Sequence, residues 1–280
     1  MKRRVLPLLP ILVFCLLFVV LPVLYVVILS FLTKDAAWGV RQEFTLENYR
    51  KIFDPVYLKT FATSMKIAFW TTLFSILIGY PFGYLMARLP GRRRSVFLFL
   101  LVIPFWSNGL IRIYGWMTLL RSNGILARLF MLIGFTKAPL EILYTTPAVV
   151  IGTVYALFPM MALAVYSSAQ KLDFTLLEAA QDLGAGKWKA FLTISLPLTL
   201  PGLLSGFVFV FVPSVGLFFI SDLLGGGKVM LIGNLIAAQL SRSRNLPFGA
   251  ALSVVLMLWM LFIIALYRRL SGTKDLEGMI

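Results

Sequence analysis

The sequence contains no histidine, and its one cysteine, Cys15, sits inside an apolar run. The first absence removes the commonest general base and metal ligand. With a single cysteine as well, the usual ligand sets for zinc cannot be assembled, and no disulfide can close within the chain. Acidic residues are scarce, 11 Asp+Glu against 26 Lys+Arg in 280 residues. The long apolar runs hold almost none of them, so the paired intramembrane carboxylates of an embedded enzyme are missing. No phosphate loop is present either. Around Lys187 the pattern GxxxxGK[ST] would need glycine at 181 and Ser/Thr at 188, where the chain has Gln181 and Trp188. Around Lys228, Asp222 occupies the first glycine position. No GxSxG elbow appears. The sequence therefore offers no catalytic residue, no metal site, no cofactor site and no ATP site of its own.

What it has in abundance is apolar residues. They make up 60% of the chain, against about 45–50% in a soluble domain, and the mean hydropathy is +0.93. The formal charge of +15 reads as membrane topology. Nucleic-acid binding gathers basic residues on one soluble face, and here they are scattered between apolar runs. The expected fold is an all-α integral membrane protein with six transmembrane helices.

In order, Met1-Lys-Arg-Arg4 precedes a charge-free run from Val5 to Phe31. At about 27 residues it exceeds a signal-peptide core of about 7–15, and it is long enough to cross a bilayer. Lys34 to Lys59 is a polar connector. The second run, Phe61 to Ala87, carries Gly79-Tyr-Pro-Phe-Gly83, a spacing that lets another helix approach closely, with a kink expected at Tyr80-Pro81. Arg88 to Arg94 is a tight basic turn. The third run is Phe97 to Leu120, and Ile125 to Phe135 reads as a short interfacial or re-entrant helix. The fourth run is Thr146 to Ala169, the fifth Leu198 to Ile220 with Gly202-Leu-Leu-Ser-Gly206, and the sixth Phe248 to Tyr267. This gives an N-terminal helix and connector over 1–60, a five-helix domain over 61–267, and a tail over 268–280.

Orientation follows from Lys/Arg beside the spans. The termini and even connectors carry 13, including Lys2, Arg3, Arg4 and Lys274; the odd connectors carry 11, including Lys137. The first set is packed into short segments and the second is diluted over long ones. Both termini and the connector at 171–197 are therefore expected in the cytoplasm.

Two groups of residues stand out as candidate sites. In the third run, Asn108 and Arg112 fall at i, i+4, on one face of a helix, and Asp222 ends the fifth. These either line a solute path, together with Trp106 and Tyr114, or fix the packing through an Arg112–Asp222 pair or through helix capping. The aromatics around them, Phe105 and Trp116 included, either meet a cation over their π faces or form an interfacial belt. The second group is the connector Thr175 to Pro201. It opens with Thr175-Leu-Leu-Glu178, the spacing of a capping box. A short helix follows, Gly184 takes the C′ place, a second helix begins near Lys187, and Pro197 and Pro201 punctuate the entry to the next run.

Glu178-Ala179-Ala180, Gly184 after three residues, and Ile194-x-Leu196-Pro197 after nine more together resemble the EAA loop of ABC importer permeases. The run from Phe61 to Tyr267 is similar to the type I importer permease domain. Pro104-Phe-Trp-Ser-Asn108, Ile111-Arg-Ile-Tyr-Gly115, Gly216-Leu-Phe-Phe-Ile-Ser-Asp-Leu-Leu224 and Leu231-Ile-Gly-Asn-Leu235 resemble the polyamine (spermidine/putrescine) branch, in its first membrane subunit.

The resemblance implies a multi-pass subunit of the bacterial cytoplasmic (inner) membrane. It implies a second homologous permease, two copies of a cytoplasmic ABC ATPase, an extracytoplasmic substrate-binding protein, and contact with membrane lipid but not nucleic acid. It assigns Glu178, Ala179, Ala180, Gly184, Ile194, Leu196 and Pro197 to ATPase coupling. The alternatives are the same machinery for another small solute, or a cation channel subunit; a channel would need a polar ring in its spans and no ATPase dock.

Overall fold

The chain is built almost wholly of helices. In this computed structural model the described residues are 9–35, 39–134, 136, 138 and 140–271. Lys2, Arg3, Arg4, Lys137 and Lys274, which entered the orientation count, lie outside them, as do residues 5–8, Phe135 and the tail from 272. The reason for the helices is solvent: in a bilayer each backbone N–H and C=O must be satisfied within its own segment. The helices are α1 (Pro10–Ser30), α2 (Glu47–Ile52), α3 (Pro55–Arg88), α4 (Gly91–Val102), α5 (Gly109–Leu119), α6 (Ile125–Leu132) and α7 (Thr146–Ala169). They continue with α8 (Thr175–Asp182), α9 (Lys187–Gly216), α10 (Phe218–Gly225), α11 (Ile232–Ser241) and α12 (Leu246–Ser271). Five of these, α1, α3, α7, α9 and α12, are long and apolar enough to cross a membrane.

The third run differs from expectation. Instead of one straight span, α4 and α5 meet at a 95° bend, and together they make the sixth candidate crossing. The bend holds a 3-10 turn, Ile103–Trp106, with Pro104 inside it. Proline has no N–H to continue a ladder, and Asn108, in extended conformation, starts a new helix. The fifth run differs too. Its helix extends back to Lys187 and passes through Pro197 and Pro201 without interruption. It stops at Leu217, so Asp222 belongs to a separate helix, α10.

The described residues within 1–61 and 232–262 form one compact unit, and those within 62–231 and 263–280 another. In the first, the polar connector is more ordered than its composition suggests. Strands β1 (Leu32–Lys34) and β2 (Val40–Phe44) pair antiparallel. The buried Asn48 side-chain amide donates to Ser30 O at 3.0 Å and Leu32 O at 2.9 Å, tying α2 to the end of α1. The Tyr49 and Ser30 hydroxyls meet at 2.6 Å.

In the second unit α7 is central. Val149, Met161, Ala162 and Val165 on it are fully buried. Small residues on its neighbours allow close approach. A β-carbon on Gly79 of α3 would stand 2.7 Å from Met161 Cγ, and one on Gly206 of α9 would stand 2.5 Å from Met161 Sδ. Gly202 likewise abuts Ser168 and the carbonyl of Ala164. Both glycine pairs read from the sequence are helix-packing positions. Several buried hydroxyls bond back to the preceding turn, as Thr153 does to Val149 O at 2.7 Å and Thr72 to Ala68 O at 2.7 Å, so these cost little in an apolar setting. The hydroxyls of Thr71 and Ser75 on α3 are buried without a partner among the described residues.

Candidate functional site

The connector between α7 and α9 is a helix-turn-helix whose ends are fixed by identifiable groups. The capping box is not formed. Thr175 lies inside α8, and Asp173 takes the capping part: its Oδ1 accepts the Thr175 N–H at 3.0 Å and the Thr175 hydroxyl at 2.8 Å. Aspartate is the stronger cap of the two, and here it stands two residues upstream of the threonine. The same two bonds, the hydroxyl's first, hold the Asp173 carboxyl below the ordinary aspartate range.

At the other end the backbone closes as a Schellman motif. Ala185 N–H reaches Ala180 O at 2.9 Å, and Gly184 N–H reaches Gln181 O at 2.9 Å. Gly184 sits at φ +87°, where a Cβ is penalised. The C-cap prediction therefore stands. Along α8, Leu177 is buried, Glu178 and Ala179 are exposed and Ala180 is half-buried. Leu183 is 90% exposed and Trp188 73%.

Farther on, α9 contains a π-turn, Phe191–Ser195. Leu196 N–H bonds Phe191 O, five residues back, and Pro197 next to it has no N–H to give. The wide turn thus ends where the ladder is already interrupted. Ile194 and Leu196 are half-buried and Pro197 is exposed.

The structure adds residues that the motif did not name. Phe174, just before α8, and Phe191, just after the second helix begins, both pack on the C-terminal end of α3. Phe191 presents its ring to Tyr80 at 6.0 Å and to Tyr84 at 5.6 Å, both edge-on. The Arg88 guanidinium lies over Tyr84 at 4.9 Å and over Phe174 at 5.0 Å. Tyr80 OH meets Thr199 Oγ1 at 2.7 Å, and Tyr84 OH meets Ser195 Oγ at 2.8 Å. The i, i+4, i+8 spacing of Tyr80, Tyr84 and Arg88 was the available signal.

The predicted path residues are not gathered into one pocket. Asn108 does not share a helix face with Arg112; it caps α5, accepting Leu110 N–H at 2.8 Å. Trp106 is 76% exposed and Tyr114 51%, and Asp222 is exposed on α10. No ion pair joins Arg112 to Asp222 among the described residues. The Arg112 guanidinium instead lies over Phe105 at 4.5 Å and farther from Tyr155, at 5.9 Å. Its Nε and Nη1 are buried without an acceptor. Beside it is a cleft of about 810 Å³ walled by α3, α5 and α7, with Trp70, Phe74, Trp116, Tyr155 and Phe158 on it. None of the five predicted path residues lines it.

Residues 79–272 match the family described as binding-protein-dependent transport system inner membrane component. The chain is 46% identical over 255 residues to the spermidine/putrescine transport system permease protein PotB of Escherichia coli, covering 91% of this chain and 93% of that one. It is 28% identical over 251 residues, 85% of this chain and 80% of that one, to the inner membrane ABC transporter permease protein YdcU of the same organism. Among solved structures it is similar to a bacterial ABC transporter involved in the import of the acidic polysaccharide alginate. There the TM-score is 0.70 at 18% identity, over 97% of this chain and 98% of the other. A bacterial alginate transporter in complex with its alginate pentasaccharide-bound periplasmic protein gives 0.77 at 16%, over 97% and 96%.

Proposed function

The chain belongs to the family of inner-membrane components of binding-protein-dependent transport systems, and from that membership we propose that it forms half of the translocation path of an ATP-driven polyamine importer. It is a transport subunit and not an enzyme. The observation that carries the substrate is the 46% identity to a spermidine/putrescine permease across nine-tenths of the chain. Residues 1–60 form the N-terminal helix and extracytoplasmic connector, 61–267 the transport domain, and 268–280 a cytoplasmic tail.

Both termini and the 171–197 loop face the cytoplasm. There Glu178, Ala179, Ala180 and Gly184, with Ile194, Leu196 and Pro197 behind them, seat the loop on one of two ATPase copies. The large exposed apolar side chains of Leu183 and Trp188 on the same loop support that reading. A second homologous permease completes the path, and a binding protein delivers the solute from outside. Closure of the ATPase pair on ATP draws the loop with it and turns the cavity outward; hydrolysis resets it. Trp106, Asn108, Arg112, Tyr114 and Asp222 lie along the solute's route.

Two measurements test this. A tagged copy expressed from its own operon should bring down a second permease and an ATPase; purification alone in mild detergent would count against it. Radiolabelled spermidine and putrescine should then enter proteoliposomes bearing the complex, only with ATP inside the ATPase-facing compartment. Uptake of a different solute in a competition panel, with no polyamine uptake, would move the assignment to another branch.

A further inference from the structure

We propose that Tyr80 and Tyr84 are positioning residues that carry the displacement of the α7–α9 connector into the long span α3. The proposal rests on the reading that this connector docks an ATPase. The connector is held to α3 at both of its flanks. On the leading side, Arg88 is laid over Phe174 and Tyr84 together, 5.0 and 4.9 Å from the two rings. On the trailing side, Phe191 sets its ring against both tyrosines. The helix between those flanks, α8, contributes only Leu177 to the buried residues. It can tilt only by carrying Phe174 and Phe191 along, and these are the two residues that α3 grips.

The hydrogen bonds give the grip a direction. Thr199 Oγ1 donates its one hydrogen to Ser195 O at 2.7 Å, so Tyr80 is the donor in its 2.7 Å bond to Thr199. Tyr84 reaches Ser195 Oγ one turn below. The two tyrosine rings are parallel within 6° and buried, as are Ser195 and Thr199. Ser195 ends the π-turn, the one place in α9 before Pro201 where an extra residue per turn is stored. Such turns shift register more readily than a regular ladder and recur at functional sites. A pull on the connector that altered the π-turn would move Ser195 relative to Thr199. Two hydroxyls on α3, spaced by the same helical turn, would then have to follow or break.

The test uses the whole complex, this chain with its second permease, ATPase and binding protein, in proteoliposomes. Tyr84→Phe and Tyr80→Phe remove one hydroxyl each and leave the rings in place. The ATPase should remain bound in each variant, while solute taken up per ATP hydrolysed falls about two- to tenfold, the range one lost hydrogen bond gives. Ser195→Ala should reproduce Tyr84→Phe, and the double variant should be no worse than either single. An unchanged ratio in both tyrosine variants overturns the proposal, even if their thermal midpoints drop, since that is what a merely structural bond would do. Phe191→Leu, which keeps apolar bulk but removes the ring edge, gives a second route to the same ratio. Absence of the ATPase from the unmodified complex would instead overturn the docking reading, and this proposal with it.

Discussion

Gly83 of α3 faces the backbone carbonyl of Ala162 on α7 so closely that a β-carbon built on it would stand 2.5 Å from the oxygen. A backbone oxygen cannot rotate away as a side-chain tip can, so one helix would have to move. Gly83→Ala should therefore lower stability by about 1–3 kcal/mol, the usual cost of overpacking. Gly91→Ala, where a β-carbon meets nothing within 4 Å, should be neutral. Thermal unfolding midpoints of the two variants in one detergent check this; equal midpoints would show that α3 and α7 are less tightly joined.

Gly184 poses a different problem. A β-carbon there touches nothing within 4 Å, but φ is +87°. The penalty lies in the backbone, about 1–2 kcal/mol for an ordinary residue and more for a β-branched one. Gly184→Val should abolish uptake while membrane insertion, read from membrane-fraction immunoblots, stays normal. Gly184→Asn, which tolerates this conformation, should retain much of the transport. Normal uptake by the valine variant would sever the link between this turn and coupling.

Asp173 anchors the start of α8 more firmly when ionised. Its carboxyl titrates below the ordinary aspartate range because the charged form accepts two bonds from Thr175. The folded value is the depressed one. The stabilisation is therefore present above the ordinary aspartate value and is lost as pH falls through that value toward the lower folded one. Amide hydrogen-exchange protection across Thr175–Asp182, corrected for intrinsic rate, should be flat at neutral pH and drop in that acid window. Asp173→Ala should show the reduced protection at neutral pH, with no acid step left, and Asp173→Asn, still a good cap, should lose less.

These residues also show what the sequence made legible. Apolar run length located the spans, and α7 matches its run end for end, because bilayer thickness fixes helix length. The start of α9 was missed by 11 residues, since its first turns carry Lys187 and Lys189 and do not read as apolar. Gly184 was readable because one backbone conformation demands one residue type. The start of α8 was misread because two acceptors, Asp173 and Thr175, compete within three positions and pattern alone does not rank them. The bend between α4 and α5 was written in Pro104 and Asn108-Gly109, yet hydropathy averages over such punctuation. The grip of Tyr80, Tyr84 and Arg88 on Phe174 and Phe191 joins segments about a hundred residues apart, and no local pattern encodes that.

Arg112 sets two energies against each other. A guanidinium over aromatic faces gains about 0.5–2 kcal/mol. Two buried N–H groups without acceptors cost about 1–3 kcal/mol each, and Arg112 has both Nε and Nη1 in that state. The cost exceeds the gain, so this side chain is held at the expense of the fold. Arg112→Met keeps most of the volume and removes both orphan donors. Its unfolding midpoint should equal or exceed that of the unmodified chain. Arg112→Lys keeps the charge but gives up the planar stack on Phe105, so its midpoint should fall. If the acceptor arrives with solute or from the second permease, both variants should lose uptake despite their opposite stabilities. A methionine variant that is markedly less stable would mean that the Phe105 and Tyr155 faces outweigh the two unmet donors.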